Sequence, residues 1–257
     1  MPITKRALLI SNPGETGAEN YCKGVYVDVR NYVRLLTSPQ GGAWEAAEIK
    51  TLDRPTAKEV QLWIADFSQY DYSFVMFTGH GWFSSTDKDR ILELKKGEAI
   101  ASNDLLKGTK KRTLVLDCCQ KIHTESLREK RAQQFSGMIM ANEARERIPN
   151  REACRKHFSD TISIAESGCV RMCSCQIGEL SRDDDSTGGY YNSNLIDTAD
   201  EWAGRQARNT WGGSASLSVV EVHELAAAAT RKKSVGAQNP SIEKTRTGPY
   251  FPFAVFA

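Results

Sequence analysis

No apolar run in the 257 residues reaches the roughly 18 needed to cross a bilayer, and the amino terminus has no charged-then-apolar leader. Neither a membrane span nor a secretory signal is expected. An excess of one charge sign is also missing: 34 Lys and Arg stand against 32 Asp and Glu, leaving +2, and the two signs are interleaved. A nucleic-acid footprint or a polybasic membrane patch needs clustered basic residues, so neither nucleic acid nor membrane is expected as a partner. The seven cysteines are an odd number in a chain this long, which points to reduced thiols in a cytoplasmic setting rather than a disulfide framework. Cys173 and Cys175 form a CxC with Cys169 nearby, but no second ligand pair accompanies them, and no metal site is expected there. Internal repeats and low-complexity tracts are absent. The length suits one large α/β domain.

What the chain does contain is a pair of strand ends that carry chemistry. Tyr72 to Gly81 (YSFVMFTGHG) and Arg112 to Gln120 (RTLVLDCCQ) are short apolar runs bounded by polar or turn residues, and each reads as a buried parallel strand. Ligands of open α/β sheets bind outside the carboxyl ends of the strands, where His80 and the Cys118-Cys119 pair emerge. Side chains alternate between faces, so Thr78 and His80 share one face of the first strand, and Asp117 and Cys119 share one face of the second. Cys118 follows Leu114 and Leu116 to the other face, where a cysteine acts as a small hydrophobe. Cys119 is therefore the expected nucleophile. The remaining histidines, His123, His157 and His223, are expected at the surface.

The other elements alternate between strand and helix. Ala7–Ile10 reads as a first central strand before a turn at Asn12-Pro13-Gly14. Apolar spacing predicts a helix over Val25–Leu36, with Asp28 in its first turn. Glu45–Leu52 reads as a second strand and Thr56–Phe67 as a helix, with Thr56 as N-cap and Glu59 at capping-box distance. ILEL and EAIA, separated by Lys95-Lys96-Gly97, predict a hairpin annexed to the sheet. Cys169–Cys175 reads as a further strand and Ser218–Thr230 as a helix. The charged stretch Ser126–Arg147 reads as a solvated amphipathic helix. Such alternation makes an α/β sandwich the natural architecture.

Thr-Gly-His-Gly closing one strand and Asp-Cys-Cys closing the next resemble the caspase-like cysteine peptidases of clan CD, above all the metacaspase, paracaspase and bacterial orthocaspase branch. The resemblance extends to Cys175-Gln176-Ile177-Gly178-Glu179-Leu180-Ser181, to Gly188-Gly189-Tyr190-Tyr191 with Asn194-Leu195-Ile196, and to Gln238-Asn239-Pro240 with the last strand near Tyr250–Phe256. It departs from the branch at Gln120-Lys121-Ile122, where His-Ser-Gly is usual, and at Gly24-Val25-Tyr26-Val27-Asp28, which keeps the Gly and Asp of Gly-Cys-x-Asn-Asp but not its Cys and Asn. The resemblance implies a three-layer α/β/α sandwich on a mostly parallel central sheet. Residues 1–119 correspond to a large-subunit-like part, 120–165 to a charged insertion or linker, and 166–257 to a small-subunit-like part.

By the same resemblance, Cys119 attacks the scissile carbonyl, His80 serves as acid-base, and the backbone N–H groups of Gly81 and Cys119 stabilise the oxyanion. A neighbouring imidazole and a strand-end position are expected to raise the thiolate fraction of Cys119. Asp28, Thr78 and Asp117 match the acidic P1 pocket of metacaspases, which implies cleavage of proteins after arginine in preference to lysine. The bland reading of Asp28 is a carboxylate favoured by the helix dipole, and that of Asp117 a cap of the strand-end turn. Residues 123–151 are expected to form an exposed linker that shields the site or is cut on activation, by an upstream protease or by the enzyme itself. No cofactor is expected. Asp183-Asp184-Asp185 lacks the spacing of a calcium loop and reads as solvated, so a calcium requirement finds no support. The alternative function is a catalytically silent adaptor of the same fold.

Overall fold

The computed structural model describes residues 3–121, 147–209, 212–244 and 248–257. Much of the expected linker, including His123, lies outside the described residues. In chain order the elements are β1 (Lys5–Asn12), α1 (Gly24–Thr37), β2 (Ile49–Asp53), α2 (Ala57–Asp66), β3 (Tyr72–Gly79), β4 (Gly81–Ser84), β5 (Asp89–Lys95), β6 (Glu98–Ala101), β7 (Lys111–Cys118), α3 (Arg151–Ile164) and β8 (Gly168–Cys173). They continue with β9 (Asp183–Asp184), β10 (Gly188–Gly189), α4 (Tyr190–Arg208), β11 (Ala215–Ser218), α5 (Val219–Lys233), β12 (Ser241–Lys244) and β13 (Pro252–Phe256). Local chemistry accounts for several boundaries. Thr56 and Glu59 close a reciprocal capping box on α2, as Ser218 and Glu221 do on α5, each satisfying orphan N–H groups of the first turn. A third such box, Glu45 with Glu48, caps a 3₁₀ turn at Ala46–Glu48, so the expected strand over Glu45–Leu52 begins only at Ile49.

Six strands form the central sheet in the order β12-β8-β7-β3-β1-β2, and every pairing except the antiparallel β12–β8 is parallel. Strand alternation splits the core in two. Leu9, Phe74, Met76, Val115 and Met172 face a layer containing α1, α3, α4 and α5, whereas Leu8, Ile10, Val75, Phe77, Leu114 and Leu116 face α2 and the β5–β6 hairpin. The result is a three-layer sandwich with a mostly parallel sheet, as expected. The annexed hairpin is present, extended by β4 into a three-stranded sheet, and β13 pairs with β11 rather than joining the central sheet. Within the 120–165 segment, Arg151–Ile164 form a core helix that buries Cys154, Phe158 and Ile162 at helical spacing. None of the described helices is long and apolar enough to cross a membrane.

Candidate active site

The site grows from the register of three adjacent strands. Ser11 pairs with Thr78 and Thr78 with Asp117, and one step further Gly79 pairs with Cys118. The next residues outward are His80 and Cys119, so the two expected reacting side chains leave the same edge of the sheet on neighbouring strands. Cys118, 1% exposed, packs with Leu114 and Leu116 on the opposite face. Thr78, Asp117, His80 and Cys119 meet Asp28 of α1 around one cavity of about 50 Å³, which Cys22, Ser181, Asp183 and Gly189 also line.

Asp28 and Asp117 form its floor, 2% and 5% exposed. Asp28 begins the second turn of α1, too far from the helix start to act as a cap, and turns into the sheet. It accepts from Thr78 Oγ1 (2.6 Å), Gly189 N (2.9 Å) and Asn192 Nδ2 (2.9 Å). Asp117 accepts from Ser181 Oγ and from Asn192 N (3.3 Å). Burial raises both carboxyls far above the ordinary carboxylate range, and the charge of Asp117 raises Asp28 further. Gly188 and Gly189 are glycines for a steric reason: a Cβ on the first would collide with the Asp28 carboxylate, and one on the second with that of Asp117. The motif leading into α4 is therefore part of the pocket wall.

The reacting pair is held more loosely. His80 Nε2 is buried without a hydrogen-bond partner among the described residues, and a Cβ on Gly14 would stand 2.8 Å from it. Cys119 is half-buried and its thiol donates to the Ser181 carbonyl (3.6 Å). Burial pushes that thiol above its ordinary range and the charges of Asp117 and Asp183 add to it, while the Ser181 backbone and the Lys121 charge act against the shift. The net direction favours the protonated thiol. Gly81 has a defined part to play. The His80 carbonyl accepts from Glu93 N (3.0 Å), which puts Gly81 at a non-hydrogen-bonded position of the β4–β5 pair. Its N–H therefore points away from β5, the direction in which Phe83 N donates to the Lys121 carbonyl just beyond Cys119 (3.1 Å). Its missing side chain makes room for the Ile91 carbonyl and the Cys118 sulfur.

Three residues of the site escaped the sequence reading. Cys22 sits on the irregular loop before α1, and burial pushes its thiol up to about 12. Ser181, on the loop after β8, and Asp183, which opens β9, belong to stretches whose motif was visible but whose contacts were not; Asp183 stands exposed at the rim, while Asp184 accepts from Ser186 N (2.8 Å) to cap a turn. The surface assignment of the other histidines needs correction. His223 is 5% exposed, with Nδ1 bonded to Tyr191 Oη (2.5 Å), and burial lowers its pKa to about 4. His157 is half-buried on α3, against Ser216 Oγ (2.9 Å). Among the described residues, no three His, Cys, Asp or Glu side chains converge to hold a metal.

The structure is a six-stranded α/β sandwich with a histidine and a cysteine at adjacent strand ends. The profile of the caspase domain family matches residues 4–251, and the chain belongs to that family of cysteine peptidases. Caspase-1 from Spodoptera frugiperda shares the fold with a TM-score of 0.56 at 13% identity, over 94% of this chain and 86% of that one. No curated protein matches the chain at a significant level.

Proposed function

We propose that this chain is a cysteine endopeptidase that cuts proteins after basic residues, arginine before lysine, using Cys119 and His80. The observation that carries the specificity is the buried pair Asp28 and Asp117, which shares one small cavity with Cys119 and His80. Two adjoining carboxyls away from water have a use for a cation, and a planar guanidinium can bond both where an ammonium offers a point charge. An aspartate side chain would meet like charge and be rejected.

In this mechanism Cys119 passes its proton to His80 as Sγ attacks the scissile carbonyl carbon. The oxyanion forms beside the backbone N–H groups of Gly81 and Cys119, donors that add nothing to reorganisation. Collapse breaks the C–N bond, His80 hands the proton to the leaving amine, and a thioester remains. Water, deprotonated by His80, then releases the carboxylate product and restores the thiol.

The test uses peptides that differ only at P1, with Arg, Lys, citrulline or Asp, on wild type and Cys119→Ala, with and without calcium. Cleavage in the order Arg, Lys, then the neutral and acidic peptides, lost in Cys119→Ala, is the expected result. No hydrolysis of any peptide, with the uncut chain still folded, would favour the adaptor reading instead.

A further inference from the structure

Ser181 lies between the two halves of the site. Its carbonyl accepts from the Cys119 thiol (3.6 Å), and its hydroxyl donates to Asp117 Oδ1. It is held from behind by the fully buried Gln238, whose Nε2 donates to Ser181 Oγ (3.3 Å) and Ser174 O (2.9 Å), and whose Oε1 accepts from Arg182 N (3.0 Å). Among the described residues, Ser181 alone hydrogen-bonds both the nucleophile and a pocket carboxylate. While this carbonyl holds the thiol hydrogen, that hydrogen is directed away from His80.

The cavity is narrow at roughly 50 Å³, and a side chain that bonds Asp117 Oδ1 must displace the Ser181 hydroxyl that already occupies it. Most of its walls belong to regular elements: Asp28 to α1, Thr78 to β3, Asp117 to β7. Ser181 lies outside any helix or strand, on the irregular stretch between β8 and β9, so its displacement breaks no strand ladder or helix turn.

On the reading that Asp28 and Asp117 receive a basic P1 side chain, we propose that Ser181 is a specificity-determining residue that couples occupancy of the P1 pocket to release of the Cys119 thiol. A guanidinium that takes Asp117 Oδ1 removes the acceptor of the Ser181 hydroxyl. The residue withdraws, its carbonyl leaves Cys119, and the thiol turns to His80. A neutral side chain of the same shape triggers no such exchange. Basic P1 residues are then favoured in turnover as well as in binding.

The experiment follows alkylation of Cys119 by iodoacetamide, read by peptide mass spectrometry, with acetyl-arginine amide or the neutral acetyl-citrulline amide present. In wild type the arginine ligand is expected to accelerate alkylation about tenfold, within the ordinary range of coupling between sites, while the citrulline ligand has no effect. Ser181→Ala should react quickly without ligand and gain nothing from it, and Ser181→Thr, which keeps the hydroxyl, should restore the acceleration. In peptide cleavage, Ser181→Ala should lose the arginine-over-citrulline advantage in kcat and keep it in KM. Slower wild-type alkylation with the arginine ligand, as simple blockage would give, overturns the proposal, as does acceleration that survives in Ser181→Ala. Equal cleavage after arginine and citrulline removes the basic-P1 reading and this proposal with it. Arginine-selective cleavage that Ser181→Ala leaves unaltered removes the proposal alone.

Discussion

The floor of the cavity and its mouth are built by opposite rules. At the floor, Asp28 and Asp117 share donors from Thr78, Asn192, Gly189 and Ser181, and two glycines let backbone press against them. At the mouth, His80 Nε2 has no partner among the described residues, and the Cys119 thiol rests on one long contact. The floor is densely hydrogen-bonded and the mouth sparsely so; on the proposed reading both wait for the substrate, the floor for a cation that displaces Ser181 and the mouth for the thiol this releases.

The sharpest way to break this comparison is to remove the mouth. Cys119→Ala and His80→Ala should each lower kcat/KM on an arginine peptide by about 10³-fold or more, with melting temperatures close to wild type because neither side chain is in the core. If Cys118→Ala abolished cleavage instead, the division of roles along β7 would be wrong.

Changing the floor should give a smaller loss of activity together with a gain in stability. Asp28→Asn or Asp117→Asn should cost about 10²-fold in kcat/KM for arginine peptides, the scale of a charge-assisted hydrogen bond, and little on citrulline peptides. The stability effect follows from linkage. Both native carboxyls titrate above their unfolded values, so between the ordinary carboxylate range and the raised values the unfolded chain ionises while the native one keeps its protons. Their contribution is complete at acid pH and is lost as pH rises through the native values. Either Asn variant should therefore flatten the decline in melting temperature towards alkaline pH, a slope that thermal scans across buffers can measure. Binding of an arginine ligand to the Cys119→Ala chain should strengthen over the same interval, because the cation needs ionised partners.

Gly14→Ala sharpens the picture at the mouth. The added methyl meets His80 Nε2 at 2.8 Å, on a backbone with φ of +88° that disfavours any side chain. Displacement of the imidazole should lower kcat about tenfold or more with KM nearly unchanged, measured on the arginine peptide. The smallest effect is expected from Cys118→Ala, which removes one buried sulfur from an apolar cluster. Activity should stay within about threefold and stability fall by about 1 kcal/mol by denaturant titration.

Much of this site was legible because a strand has a period of two. That period placed His80, Thr78, Asp117 and Cys119 on consistent faces and sent Cys118 away, and the register of β3 with β7 agrees with it. Capping boxes at Thr56 and Ser218 were legible for the same local reason. Helix α3 was not, because its surface is densely charged and only Cys154, Phe158 and Ile162 mark its inner face. Burial of His223 was hidden too: its partner Tyr191 is 32 residues away, and no local pattern announces a pair that only tertiary packing creates. The contacts of Ser181 with Cys119 and Asp117, 62 and 64 residues distant, are of the same kind.

The upward shifts of Asp28 and Asp117 also complicate any reading of an activity profile. An inflection near neutrality in a histidine-dependent hydrolase is habitually credited to the imidazole, yet here two carboxyl groups titrate high enough to compete for it. Temperature tells them apart, because imidazole ionisation absorbs considerable heat and carboxyl ionisation almost none. An inflection that stays in place on warming would belong to the acidic floor of the cavity, and one that slides towards lower pH to a ring nitrogen.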